Sequence, residues 1–177
     1  FSRISGALAL VGANVVDARA YTSKDGFGTN AFWIQDDLGH PYMLEKLPKL
    51  ELMIQKTLRG DILPQNEFRT KDKIKKRERD FAVPTSISFN NDGSDIYTII
   101  EVDTRDRKGL LYDLSKTLSL ANIYIASAVI STYGAQVVDT FYVKDMFGLK
   151  FYSKSKQSKI ENKLKEAILK GIERAII

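Results

Sequence analysis

With 177 residues, 44% apolar and 28% charged, the chain has the composition of an ordinary globular protein with a core to bury, which excludes a disordered or membrane-embedded class. No run approaches the ~18 consecutive apolar residues of a membrane span, and zero cysteines exclude disulfides, thiolate metal sites and cysteine nucleophiles and fit a cytoplasmic setting. The net charge of +5 gathers in residues 69–80, seven basic side chains against three acids. That is the pattern of a solvated linker or helix face, so neither a nucleic acid nor a membrane is expected as a partner.

The chain opens on helical spacing, with Ile4, Ala7, Leu8 and Val11 on one face and Gly12, Ala13 and Asn14 closing the helix. Residues 15–22 read as a strand, followed by a turn around Asp25, Gly26 and Gly28 and a second strand over residues 30–35. Asp36, Asp37 and Gly39 form the next turn. A helix then carries Leu50, Ile54 and Leu58 on one face and ends near Gly60, with Pro48 either kinking it or marking its first turn. Beyond the basic run, residues 85–89 alternate like a short strand. Residues 96–102 are another β-rich run. Asp106-Arg107-Lys108-Gly109 follows, then a helix with Leu110, Leu111, Leu114 and Leu118 facing inward. Two strands, residues 125–132 and 137–144, turn at Tyr133 and Gly134. An amphipathic helix bearing Ile160, Leu164, Ile168, Ile172 and Ile176 completes the order.

The halves repeat. A shift of 110 positions aligns residues 1–22 with 111–132 without a gap, with Ser5/Ser115, Leu8/Leu118, Leu10/Leu120, Ala18/Ala128 and Thr22/Thr132 identical. One deletion later, Ala31-Phe32-Trp33-Ile34 meets Thr140-Phe141-Tyr142-Val143. Element order is α, β, β, α, β in the first half and β, α, β, β, α in the second. Both are portions of βαββαβ, an α+β unit with a four-stranded antiparallel sheet and two helices on one face. Residues 1–90 are expected to form the first unit, lacking its opening strand and carrying a basic linker insertion at about 61–82; residues 95–177 form the second. The missing strand implies that the sequence begins inside a longer protein, in the counterpart of the loop around Gly109.

Tyr97-Thr98-Ile99-Ile100-Glu101-Val102-Asp103, Asp106-Arg107-Lys108-Gly109-Leu110-Leu111 and Gly12-Ala13-Asn14-Val15 resemble the strand, loop and helix of ACT domains, a ferredoxin-like family. The tandem, with Val138-Asp139-Thr140-Phe141-Tyr142-Val143-Lys144-Asp145 and Phe147-Gly148-Leu149-Lys150, is similar to the C-terminal ACT pair of bacterial PII uridylyltransferases. Lys108 stands where that family usually has proline. The resemblance implies upstream catalytic domains using Mg and UTP, a PII signalling protein as their partner in nitrogen regulation, and an ACT pair that senses glutamine. It implies no cofactor on this chain.

The implied ligand site comprises Asp106, Arg107, Gly109, Leu110 and Leu111 of one loop and Gly12, Asn14 and Val15 of the other half. A loop between a strand and a helix N-terminus offers free N–H groups and a positive dipole end to a carboxylate. Gly109 permits close approach, Asp106 suits an ammonium, and an amide such as Asn14 suits further polar groups. On the residues alone, Asp106 reads equally as a helix cap, and Asn14 suits a C-terminal cap. His40 reads as an exposed turn residue. One histidine, no cysteine and no nucleophile elbow leave nothing to build a catalytic triad or hydrolytic metal site. Two other classes share the topology: an RNA-binding module, whose stacking aromatics residues 135–140 lack, and a purely structural pairing module with no pocket.

Overall fold

The computed structural model describes residues 1–22, 27–71 and 83–176. Asp25 and Gly26 of the expected turn, and nearly all of the basic run, lie outside the described residues. The elements are α1 (Ser2–Leu10), β1 (Asn14–Thr22), β2 (Gly28–Gln35), a 3-10 turn (Leu44–Lys46), α2 (Leu47–Arg59), α3 (Pro64–Lys71), β3 (Ser86–Asn90), β4 (Thr98–Arg105), α4 (Leu110–Leu120), β5 (Tyr124–Tyr133), β6 (Gln136–Lys144) and α5 (Lys154–Ile176). Pro48 falls in the first turn of α2, where its missing N–H costs nothing, and Gly60 ends that helix at φ +89°. Helix α3 is new relative to the sequence reading, which had made residues 61–82 a linker.

All the strands join one antiparallel sheet in the order β2-β1-β5-β6-β4-β3, the α+β, ferredoxin-like architecture that the repeat implied. Inward residues of β4 and β6, such as Ile100, Val102, Phe141 and Val143, meet Leu114 and Leu118 of α4 and Leu164 and Ile168 of α5 in the main core. The strands alternate buried and open residues because only one sheet face is covered. Among the described residues no helix is long and apolar enough to cross a membrane.

One assignment changes. Ser86–Asn90, read from sequence as the closing strand of the first unit, pairs with β4 of the second. Strand β4 has a free edge because β6 covers only its other side, and residues 86–90 reach it before the chain enters β4. The fourth-strand position of the second unit is thus filled from in front, and α5 follows β6 with no strand needed after it. The free edge on the other side of the sheet belongs to β2.

The repeat is visible atom by atom. Gly12 and its counterpart Asn122 both adopt positive φ, +73° and +56°, the left-handed residue that ends a helix and that asparagine tolerates best after glycine. The turns after β2 and β6 match as well: Asp36 Oδ1 accepts from the Leu38 and His40 N–H groups, and Asp145 Oδ1 accepts from those of Phe147 and Leu149. Both β1 and β5 carry a bulge in the same place, after Val15 and after Ile125.

The two halves meet about a local two-fold axis. Strands β1 and β5 pair antiparallel with Ala18 opposite Ala128, both 0% exposed, and on the helix layer Ser5 Oγ lies 3.3 Å from Ser115 Oγ. The pairs Ala18–Ala128 and Ser5–Ser115 at this crossing are small, which lets the two layers approach. We expect Ala18→Leu to overpack the crossing and to cost about 1–3 kcal/mol, read as a lower urea midpoint; an unchanged midpoint would show that the junction has slack.

Candidate functional site

A cleft of about 450 Å³ opens between the halves on the helix side of the sheet, within the size range of small-molecule sites. Its first wall is the start of β1, Asn14, Val15 and Val16, with Asp37 and Gly39 of the turn after β2; its second is the loop Asp106 to Leu111. The floor is Ile130 of β5 with Val137 and Asp139 of β6. The bulge after Val15 sits at this rim and re-aims the strand toward the cleft.

Of the residues singled out from sequence, Asp106, Arg107, Gly109, Leu110, Leu111, Asn14 and Val15 all line the cleft. Gly12 does not: it faces the Asp37 carboxylate from just behind the wall, and its contribution is the turn that delivers Asn14. Asn14 opens β1 and donates from Nδ2 to the Asp36 carbonyl at 3.3 Å, while Val11 ends α1. The capping alternatives for Asp106 and Asn14 therefore do not describe their positions: helix α4 has Gly109 at its N-cap and no side chain capping it. His40 is exposed and its Nδ1 stands 3.6 Å from Asp36.

The loop is held from three sides. Asp106 N–H donates to the Ala135 carbonyl at 2.9 Å, fastening it to the β5–β6 turn. Arg107 turns inward, its guanidinium 2.6 Å from Asp113, which also accepts from Arg174 of α5 at 2.7 Å. Gly171 makes room for this, since a Cβ there would overlap the Arg107 guanidinium. Arg107 is thus a brace whose charge is engaged with Asp113. Gly109 adopts φ +77°, and a Cβ on it would stand 2.6 Å from the ring of Phe68. Phe68, on α3, is 0% exposed, packs edge-on to Tyr112 at 5.8 Å and lies beneath the Arg174 guanidinium at 5.3 Å. Both the backbone angle and the ring demand glycine at 109.

Two carboxyl groups face the cleft from the second half. Asp106 is on the open rim, yet desolvation by the cleft wall raises its carboxyl above the usual range, outweighing the lowering by the Arg107 N–H and charge. Asp139 is 2% exposed, and its Oδ1 has no hydrogen-bond partner among the described residues. Burial, with the Asp106 charge adding to it, pushes the Asp139 carboxyl up to about 8. The sequence reading missed Asp139 as a site residue. Its signal was the register: Val137, Asp139, Phe141 and Val143 alternate toward the core, an acid where three neighbours are apolar. It also missed Phe68, whose helix is overwhelmed in composition by the basic run after it.

A folded chain that holds a proton on Asp139 releases it on unfolding, where the carboxyl returns to 3.8. The stability this contributes is therefore complete below the unfolded value and lost as pH rises through the folded one, by at most about 1.4 kcal/mol per pH unit. Asp139→Asn is expected to abolish that slope in urea unfolding between about pH 5 and about pH 8. Parallel profiles for the two proteins would mean that the carboxyl is ionised in the fold.

The comparisons with known proteins agree with this architecture. A family model described as "ACR9-like, ACT-like domain" matches residues 86–177, beginning at β3 and not at β4. Among curated relatives, the bifunctional uridylyltransferase/uridylyl-removing enzymes of Ruegeria pomeroyi and Cereibacter sphaeroides are 66% and 65% identical over 175 residues, covering 99% of this chain and 19% of each relative. That of Azospirillum brasilense is 44% identical over 172 residues, covering 95% and 18%. The chain spans about a fifth of the length of these relatives. No solved structure gives a significant match. With a six-stranded sheet of repeated ferredoxin-like halves and a family model over its second half, the chain belongs to the ACT-like domain family.

Proposed function

We propose that this chain is a regulatory amino-acid-sensing module, that its ligand is glutamine, and that it serves a bifunctional uridylyltransferase/uridylyl-removing enzyme in nitrogen control. The observation that supports this reading best is the shared cleft: Asn14 and Val15 come from one half, Asp106 and Gly109 from the other. A ligand seated there touches both halves at once, so its affinity depends on how they are set, and by linkage its binding biases that setting.

The loop geometry suits an amino acid. Gly109 leaves the N-terminus of α4 open to a carboxylate, with no capping side chain competing for its N–H groups. Asp106 offers an anion to an ammonium, and the Asn14 amide offers a donor and an acceptor to a side-chain carboxamide. In this reading the chemistry on nucleotide, with Mg and UTP, and the encounter with the PII protein belong to other domains of the longer enzyme. Among the described residues no three His, Cys, Asp or Glu side chains converge to hold a metal ion.

Calorimetry with L-glutamine is expected to show saturable heat at or below millimolar ligand, and Asn14→Ala to weaken binding by about five- to tenfold, the loss of a hydrogen bond or two. Because Asn14 is on the surface and its one hydrogen bond is long, the melting temperature should stay unchanged. An absence of heat from the native chain at millimolar glutamine would sink the glutamine reading and favour a structural pairing module.

A further inference from the structure

We propose that Asp139 is the residue that seats a ligand's ammonium group in the cleft, exchanging its own proton for that cation, so that the site selects amine-bearing ligands and binds them with proton release. This rests on the cleft being a ligand site, the reading given above, and adds the residue that selects for the ligand's amine.

Three observations carry it. First, Asp139 is a built feature: it is 2% exposed on the floor of the cleft, flanked on its own strand by inward Val137 and Phe141, and paired across to Ile130. A buried carboxyl with Oδ1 unpartnered among the described residues lowers stability wherever it stands, and a partner arriving from the cleft would remove that penalty. Second, among the described residues no ion pair or hydrogen bond joins a cation to it. The charged and titratable groups around the cleft are Asp106, Arg107 and Lys108 of the loop, Tyr112 of α4 and Asp37 of the facing half. Asp113 engages the Arg107 guanidinium, and the nearby Asp106 charge acts on Asp139 repulsively. An incoming ammonium would face Asp106 on the rim and Asp139 below it.

Third, the repeat supplies an internal comparison. The two-fold counterpart of this cleft is a smaller one lined by Ser115, Ser119, Tyr124 and Ile125, with Phe1 and Ser2 in the place of Leu111 and Tyr112. There the counterpart of the Ile130–Asp139 pair is Ala20–Asn30. A neutral, half-buried amide stands where the first cleft has its buried acid, although the flanking strand pairs and their bulges correspond. The carboxyl is thus a property of one cleft and not of the fold, as a specificity determinant should be.

The proton balance is simple. In the empty cleft the carboxyl is held protonated, its titration moved up to about 8; an ammonium ion displaces that proton to solvent and forms an ammonium–carboxylate pair. Affinity for an amine-bearing ligand should therefore rise between about pH 6 and about pH 8, the window in which the empty site still holds its proton.

The test uses the full 177-residue chain and the Asp139→Asn variant, titrated with L-glutamine, with the remaining common L-amino acids and with 4-carbamoylbutanoate, which is glutamine without its amine. Calorimetry in buffers of different ionisation enthalpy reads the proton released. The proposal expects one amino acid to bind the native chain with release of part of a proton, and its deaminated analogue to bind about tenfold or more weakly. Asp139→Asn should lose both the preference for the amine and the proton release while keeping the circular dichroism of the native fold. If glutamine binds and Asp139→Asn keeps the same amine preference and proton release, this inference falls and the sensing reading stands. If glutamine fails but another amine-bearing ligand shows the Asp139 signature, the glutamine assignment falls and this inference stands. If no amine-bearing ligand binds the native chain, both fall.

Discussion

The structure depends on one antiparallel junction, the pairing of β1 with β5 around Ala18 and Ala128. Neither half closes its own sheet: β1 and β5 each use one edge for a hairpin partner and have the other left over. An unpaired central edge is costly in lost ladder hydrogen bonds and exposed to wrong pairings. Joining the leftover edges removes both liabilities at once. It also fixes the helix layer, because a two-fold axis through Ala18 and Ala128 brings Ser5 to Ser115 on the paired helices. Only small residues fit there: a Cβ on Gly6 would lie 2.6 Å from Pro64 and 2.7 Å from Tyr112. The cleft follows from this geometry, since the same axis sets the loop after β4 opposite the start of β1.

Because the axis is only approximate, it generates two clefts with different chemistry. The one between Asn14 and Asp106 has an open loop, a glycine N-cap and a buried acid. Its counterpart has Phe1 at the corresponding corner, packed on Phe32 at 5.1 Å, and Asn30 in place of the acid. A buried acid with an oxygen unpartnered among the described residues carries a desolvation cost that the half-buried amide of the other cleft does not.

Much of the fold was legible in the sequence because the repeat was. Periodicity located the helices and strands to within a few residues, and the 110-residue shift, which sets Asn122 opposite Gly12, joins two positions that share a positive φ. Two features were not legible, for different physical reasons. The strand Ser86–Asn90 was visible as a strand, but a five-residue alternation carries no information about which edge it joins; β4 had the open edge next to it along the chain, and that proximity decided the pairing. Helix α3 was hidden because polar and basic residues dominate its composition, and one buried aromatic, Phe68, supplies most of its anchorage. At the cleft, the loop and Asn14 were singled out through the ACT resemblance, whereas Asp139 and Ile130 reach the cleft only through strand register across the sheet.

Phe68 also ties the loop to the rest of the fold. The ring fills the space that a side chain at Gly109 would take, so α3 rests against the back of the loop whose front faces the cleft. Pro64, at the start of α3, rests on Gly6 of α1 in the other half, and Lys116 and Tyr112 of α4 both bond Gln65. Helix α3 thus bridges the halves over their helical layer as β1 and β5 bridge them in the sheet. Packed interiors transmit displacement because they have little free volume. The position of the loop and the seat of α3 are therefore coupled through the Phe68 ring. Residues 69–71, where the basic run begins, thus lie on the helix that backs the cleft wall.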